Sequence, residues 1–334
     1  MINHKTNFNN KNILITGGAG FIGSNLAFYF QNNFPRSKVI VFDCFRNDGI
    51  FPNGNLKSFG HFNNLINFKG EIICGNINNK SDLAILDNYS FDFIFHQAAI
   101  SDTRVYDQDI IMRTNVNSFY DLLKKAKKDN AKLVYASSAA TYGNLPSPQT
   151  EGKENPENPY GFSKLMMDQV ACNFSNENPN MTIVGLRFFN VYGPREYFKA
   201  KTSSMVIQLG HQILDNKSPR LFENSSQILR DFVYIDDVVQ ANIKACSPKK
   251  NGTYNVGTGI SRSFQDIADI LQKELKAKLP PEYFPNPYKG YQVNTQANIQ
   301  SCMKNLDFKS KFSLEEGIKA YIPEILRMHN TSLK

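Results

Sequence analysis

No stretch of this 334-residue chain approaches the roughly 18 consecutive apolar residues that a membrane span needs. The first ten residues, MINHKTNFNN, have no apolar centre and do not read as a secretory signal. They are expected to form a short, loosely held extension. The five cysteines (Cys44, Cys74, Cys172, Cys246, Cys302) form no Cys-x-x-Cys pair and show no metal-ligand spacing, and the five histidines are equally dispersed. An odd, scattered cysteine count fits reduced thiols in a cytoplasmic protein, and no metal is expected. No internal repeat or long low-complexity tract is visible.

What is present is the composition of a folded protein, with 41% hydrophobic and 20% charged residues. The length suits one large domain or two modest ones. The net charge of +8 is concentrated most densely at Lys124-Lys125-Ala126-Lys127-Lys128. That run ends an amphipathic helical pattern, where lysines favour the negative end of the helix dipole. It therefore predicts no nucleic-acid partner, while a mild positive balance suits a small anionic substrate such as a nucleotide diphosphate.

Short apolar runs at 11–16 (KNILIT), 38–43 (KVIVFD), 71–74, 92–96 (DFIFH), 132–137 (KLVYAS) and 182–188 (TIVGLRF) read as strands. Helical patterns separate them, the clearest from Asp109 to Lys128. Alternating strands and helices predict an α/β fold, a Rossmann-like doubly wound parallel sheet with right-handed crossovers. Beyond about Asn190 the segments shorten and prolines multiply. The expected division is an extension over 1–10, a dinucleotide-binding domain over 11–190 to which some later segments return, and a smaller C-terminal α/β lobe over 191–330 that binds substrate.

Gly17-Gly18-Ala19-Gly20-Phe21-Ile22-Gly23 follows the first strand and opens a helix, and Asp43 ends the second strand twenty residues later. Glycines there let a pyrophosphate approach backbone amides at a helix N-terminus. Asp43 could accept hydrogen bonds from a ribose diol, favouring NAD; Arg46, close behind, could pair with a 2′-phosphate, favouring NADP. Gln97-Ala98-Ala99-Ile100-Ser101 follows another strand and could border the same cofactor. Tyr160-Gly161-Phe162-Ser163-Lys164 sets a tyrosine and a lysine one helical turn apart. A lysine that close would stabilise the phenolate and lower a tyrosine pKa from its usual ~10. Ser137-Ser138 lies upstream at a strand end.

With TGGAGFIG, SSAATYG and YGFSK in this order, followed by RFFNVYGPRE, RDFVYIDDV and NVGTG, the chain resembles the extended short-chain dehydrogenase/reductase family of nucleotide-sugar epimerases and dehydratases. YASSAATYG, SPRLFE, SFQDIAD and YQVNTQANI look like the branch that acts at C6 of an ADP-heptose. The resemblance covers about residues 11–325. It implies catalysis by Tyr160 with Lys164 as helper and Ser138 beside the reacting hydroxyl. It also implies a second base three residues after Pro194-Arg195-Glu196, which is Lys199, with Lys201 as a rival. For the cofactor it implies contacts from Gly17, Gly20, Phe21, Ile22, Gly23, Asp43, Arg46, the 97–101 stretch, Asn115, Lys164 and Val191. For an ADP-heptose substrate it implies Asn190, Lys201, Phe222, Glu223, Asn224, Ser225, Arg230 and Tyr291. NADP, with NAD possible, is expected to be tightly bound, one per subunit of a homo-oligomer. The rival readings are another nucleotide-sugar 4-epimerase or a 4,6-dehydratase, and more distantly a non-catalytic NAD(P)-binding sensor. Many relatives carry a threonine where this chain has Arg104, and the segment from Asn47 to Phe68 is longer than in the shortest of them.

Overall fold

The structure, a computed structural model, describes residues 6–287 and 292–332. Its centre is a seven-stranded sheet in which every neighbouring pair is parallel. Across the sheet the strands run Gly252–Val256, Ile183–Phe188, Lys132–Ser138, Phe93–His96, Asn12–Thr16, Lys38–Asp43 and Glu71–Cys74. The chain starts at Asn12–Thr16, builds outward to Glu71–Cys74, then crosses back to Phe93–His96 on the other side. That reversal opens a crevice at the C-terminal ends of the strands, where ligands bind in such sheets.

Strands buried on both faces should be continuous apolar runs, and the inner strands are, whereas the edge strand Glu71–Cys74 alternates between half-buried and exposed residues. Side chains alternate between two cores. Ile13, Ile15, Val39 and Val41 pack with the helix Phe21–Asn33 and the helix Ile235–Ala245 on one face. Leu14, Ile40 and Phe42 pack on the other face with the helices Ser118–Asp129 and Pro159–Glu177. The expected helix from Asp109 is interrupted. It comprises Gln108–Ile111, a π turn over Met112–Asn117, and Ser118–Asp129. In its basic run, Lys125 is buried and donates to the Tyr89 carbonyl at 2.6 Å and to Asp129 at 2.8 Å.

The expectation of a loose extension over 1–10 does not hold at Phe8. Its ring is fully buried, with centroids 5.1 Å from Phe30, 5.1 Å from Phe34 and 4.7 Å from Phe93. Burying one aromatic ring is enough to anchor the segment before the first strand.

The later part of the chain divides its residues. Gly252–Val256 joins the large sheet as an edge strand beside Ile183–Phe188. A smaller lobe holds a three-stranded sheet (Ser261–Ser263, Leu229–Tyr234, Asn190–Tyr192), a parallel pair (Arg220–Phe222 with Glu282–Phe284), and the helices Met205–Leu214, Phe264–Glu274 and Leu314–Ser332. Among the described residues no helix is long and apolar enough to cross a membrane.

Candidate active site

A cavity of about 660 Å³ opens where the strands of the large sheet end and the lobe begins. One end is the glycine turn. Gly17 has φ +69°, and a Cβ on it would lie 2.6 Å from the Ala98 nitrogen. A Cβ on Gly23 would lie 2.2 Å from the Gly17 carbonyl oxygen, so the turn packs against its own helix only with hydrogen there. The helix Phe21–Asn33 begins with no side-chain cap and no acidic residue in its first turn. Gly20, Phe21, Ile22 and Gly23 border the cavity. An uncapped helix start carries unsatisfied N–H groups and a positive field, which fits a pyrophosphate.

Asp43 borders this end too. Its carboxylate accepts from the Ala19 N–H at 3.0 Å and the Phe45 N–H at 2.8 Å, fixing the glycine turn from behind. Burial raises its pKa and those two donors lower it. Arg46 differs from expectation. Phe45, at φ +54°, turns the chain away, and the Arg46 guanidinium donates to the Phe198 carbonyl instead of bordering the cavity. Lys57, beside Ser58 and Gly60, is a cation of the same segment that does border it.

Gln97, Ala98, Ala99, Ile100 and Ser101 all line the cavity. Gln97 donates to Asn242 at 3.2 Å, and its Oε1 is a buried acceptor without a protein partner among the described residues. Asn115 stands behind this stretch rather than on the cavity. It accepts from the Ile100 N–H at 2.9 Å and donates to the Ile100 carbonyl at 3.0 Å and to the Ser163 hydroxyl at 2.9 Å. Fully buried with its amide used, it ties the cavity wall to the helix that carries Tyr160. Thr114, one residue earlier in the π turn, faces the cavity.

Ser138 ends its strand and accepts from the Ala140 N–H at 3.1 Å. Tyr160 sits in the first turn of Pro159–Glu177, a helix started by Asn158, whose side chain accepts from the Gly161 N–H at 2.8 Å, and by a proline at its first position. Ser138, Tyr160 and Lys164 share the cavity. Burial raises the Tyr160 pKa, and the hydrogen bond with Ser138 pulls it down. Lys164 does not bring about the expected lowering. Its ammonium is 6.0 Å from the centre of the Tyr160 ring and donates to the Ala136 carbonyl at 2.8 Å. It is itself desolvated, its pKa lowered to about 8 against the pull of Asp168. Nearby His96 is buried, bonded through Nδ1 to Thr16 at 2.7 Å; burial first, and Lys164 second, push its pKa to about 3.

Asp168, one turn beyond Lys164, escaped the sequence reading. It accepts from Tyr135 and Ser137 at 2.9 Å each and from the Arg187 Nε at 2.9 Å. Arg187 also reaches Glu154 and, at 2.9 Å, the Tyr142 hydroxyl. The i, i+4, i+8 spacing from Tyr160 was the available signal.

Lys199 and Lys201 separate. Lys199 is half-buried and lines the cavity, its ammonium 5.6 Å from the centre of the Phe21 ring. Burial lowers its pKa, while Glu196 and then Asp102 raise it. Lys201 is exposed and off the cavity.

In the lobe, Asn190, Val191 and Arg230 line the cavity. Arg230 donates to the carbonyls of Leu229 at 2.8 Å and Gln292 at 2.5 Å. Its neighbouring acids are engaged elsewhere: Asp231 by the N–H groups of Thr258, Gly259 and Ala297, Asp237 by those of Lys311 and Phe312. Phe222, Glu223, Asn224 and Ser225 do not reach the cavity. The pairing of Arg220–Phe222 with Glu282–Phe284 packs Phe222 on Phe284 at 5.0 Å and bonds the Glu223 N–H to the Phe284 carbonyl at 2.9 Å. Ser225 is buried with its hydroxyl 3.5 Å from Gln265. Phe232, Phe264 and Thr295, which the sequence did not single out, line the cavity in their place. Tyr291 lies outside the described residues.

The chain is similar to solved structures over nearly its whole length. One is the ADP-L-glycero-D-manno-heptose-6-epimerase of Helicobacter pylori, 48% identical with a TM-score of 0.89, covering 98% of this chain and 99% of that one. Another is a UDP-glucuronic acid 4-epimerase from Bacillus cereus in complex with UDP-glucuronic acid and NAD, 27% identical with a TM-score of 0.79, covering 95% and 99%. Among curated proteins, the ADP-L-glycero-D-manno-heptose-6-epimerase of Brachyspira hyodysenteriae is 35% identical over 316 residues, 92% of this chain and 96% of that one. The family model that matches, over residues 13–257, contains all four residues Ser138, Tyr160, Lys164 and Lys199. The chain belongs to the NAD dependent epimerase/dehydratase family.

Proposed function

We propose that this protein epimerises ADP-D-glycero-D-manno-heptose at C6 to the L-glycero form, with Tyr160 and Lys199 as its two acid–base groups. The observation that carries the reading is that both side chains reach one cavity from different elements, the helix Pro159–Glu177 and the turn Tyr197–Thr202. The two similar heptose epimerases, at 48% and 35% identity, support the substrate.

The glycine turn, the uncapped helix start and the unpartnered Gln97 Oε1 fit a nicotinamide dinucleotide. Bound there, such a group would supply a reversible hydride acceptor for C6, so the reaction would need no external oxidant. The side chains handle the proton. One removes it from the C6 hydroxyl as the ketone forms; after the ketone turns over in the site, the other returns a proton to oxygen at the second face. An acid and a base on different walls serve such a reaction because each epimer offers its hydroxyl in a different direction. Burial raises the Tyr160 pKa and lowers that of Lys199, moving a phenol and an amine toward opposite acid–base roles. Ser138 holds the Tyr160 hydroxyl, and Arg230, on the lobe side of the cavity, is a cation that a diphosphate would meet.

For the cofactor we favour NADP, with Lys57 in place of Arg46 as the group a 2′-phosphate would meet; Asp43, which would suit a ribose diol, keeps NAD as the alternative. A cytoplasmic location is supported by five free cysteines. A homo-oligomer, with one tightly held cofactor per subunit, completes the reading. The purified protein should invert C6 of ADP-D-glycero-D-manno-heptose, followed by NMR, with cofactor released only on denaturation. Inertness toward that sugar with turnover of a UDP-hexose at C4 would favour the 4-epimerase reading instead.

A further inference from the structure

The turn that carries Lys199 is held in an unusual way. Its ends are tied by Glu196, a fully buried carboxylate that accepts from the Gly193 N–H at 3.1 Å, the Ser204 N–H at 2.6 Å and the Ser204 hydroxyl at 2.7 Å. Between those ends Ala200 takes φ +52° and ψ −125°, a conformation that side-chain-bearing residues rarely adopt and that needs outside support. Within the turn the Thr202 hydroxyl donates to the Lys199 carbonyl at 2.7 Å and the Ser203 hydroxyl to the Ala200 carbonyl at 2.7 Å; the support that reaches it from another segment falls on Phe198. The His61 ring lies face to face on it, with 3.8 Å between centroids and 4° between planes. The Arg46 guanidinium donates to its carbonyl oxygen.

Arg46 and His61 belong to one segment, and that segment is built into the nucleotide end of the cavity. It starts from Asp43, closes through the Arg46 N–H to the Gly60 carbonyl at 2.8 Å, and joins the glycine turn through the His61 N–H to the Ala19 carbonyl at 3.0 Å. A Cβ on Gly60 would lie 2.2 Å from the Asp43 carboxylate, so loop and acid are in close contact. Lys57, Ser58 and Gly60 of the same segment border the cavity.

We infer that Phe198, clasped by His61 and Arg46, is a positioning residue for Lys199, so that the segment bordering the nucleotide also sets where the Lys199 ammonium stands. The inference rests on the proposed acid–base role of Lys199. A lysine has a flexible four-carbon stem, and fixing the backbone beside it is the direct way to hold its head. Neither Phe198 nor His61 needs to touch substrate for this.

The test uses the enzyme as purified, with kcat and KM measured for ADP-D-glycero-D-manno-heptose. Phe198→Ala and His61→Ala should each lower kcat by roughly 10- to 100-fold, the scale on which a displacement of about 1 Å acts, while KM changes little. Phe198→Tyr keeps the stacked ring and should retain most of kcat. In a Lys199→Met background, Phe198→Ala should change the residual rate by no more than about twofold, because a residue acting through Lys199 has nothing left to act through. If Phe198→Ala does not fold, His61→Ala tests the same stack from its partly exposed side. Normal kcat in His61→Ala, or a full additional loss from Phe198→Ala on top of Lys199→Met, overturns the inference. Lys199→Met with normal turnover overturns the acid–base reading and the inference together. An inactive Lys199→Met beside a fully active Phe198→Ala overturns the inference alone.

Discussion

Replacing Arg187 with methionine keeps the aliphatic stem and removes the cation hydrogen-bonded to Asp168, leaving that acid only the more distant field of Lys164. The guanidinium meets Asp168 through Nε and Nη2, both at 2.9 Å from the same oxygen, and reaches Glu154 and the Tyr142 hydroxyl through Nη1. Glu154 is partly exposed and can be hydrated when its partner goes; Asp168 is buried and cannot. Removing one partner of a buried pair typically costs about 3–5 kcal/mol. Because Asp168 keeps its bonds from Tyr135 and Ser137, the lower end, about 3 kcal/mol, is the expected loss near pH 8. The loss should depend on pH in a definite direction. Burial already raises the Asp168 pKa, and Arg187 lowers it; without Arg187 it rises further. Below the unfolded carboxyl pKa near 3.9 the acid is neutral in both states, so no charge penalty exists. The penalty grows as pH rises through the elevated folded value and is complete above it. Urea unfolding followed by far-UV circular dichroism at pH 5 and pH 8 should show a smaller loss at pH 5, by about 1 kcal/mol or more, since one pKa unit is worth about 1.36 kcal/mol. Adding Asp168→Asn should recover part of the stability at pH 8. Equal losses at both pH values, or a double variant weaker than the single, would refute the electrostatic account and leave only lost packing.

Tyr160→Phe and Lys199→Met should each cut turnover by ~100-fold or more with binding largely retained, whereas Lys201→Met should stay active; an inactive Lys201→Met beside an active Lys199→Met would reverse the assignment of the base. Lys57→Ala should weaken NADP binding by roughly 1.5–3 kcal/mol, read by calorimetry on cofactor-stripped protein, and leave NAD binding little changed; equal effects on both would detach Lys57 from the 2′-phosphate. Asn115→Ala strands the buried backbone groups of Ile100 and should lower unfolding stability by about 1–3 kcal/mol. A change well below that range would show that the Ile100 loop finds other partners.

How much of this was legible depended on whether local pattern or distant contact decides the outcome. Lys38–Asp43 could be read to the residue because VIVF is flanked by a lysine and an aspartate, and Glu71–Cys74 because it lies between Gly70 and Gly75. The start of Pro159–Glu177 is written in Asn158-Pro159. The π turn at Met112–Asn117 was not legible, since a single short π segment has no residue signature of its own. Nor were the three-residue strands of the lobe, which are too short to show alternation. The same division runs through the site. Gly17, Gly20, Tyr160 and Lys164 sit on elements whose geometry follows from spacing. Arg46 went elsewhere because of one left-handed residue before it, Phe222 because it pairs with a strand sixty residues later, and Asn115 because its amide was needed to clamp a neighbouring loop.

Burial itself, more than any single partner, orders the acid–base groups around the cavity. It moves a phenol and an ammonium in opposite directions, because each loses its charged form: the phenol holds its proton more firmly and the ammonium less. Tyr160 and Lys199 are both governed first by desolvation. At both lysines carboxylates then work against burial. Lys164 feels Asp168, on the next turn of its own helix, and Lys199 feels Glu196, which ties the ends of its turn. Each acid is anchored by hydrogen bonds independent of the lysine, Asp168 by Tyr135, Ser137 and Arg187, Glu196 by Gly193 and Ser204. A carboxylate fixed in that way can tune a neighbouring ammonium without capturing it in an ion pair. On the proposed reading that freedom is what Lys199 requires, since a base locked to a carboxylate could not turn to the sugar.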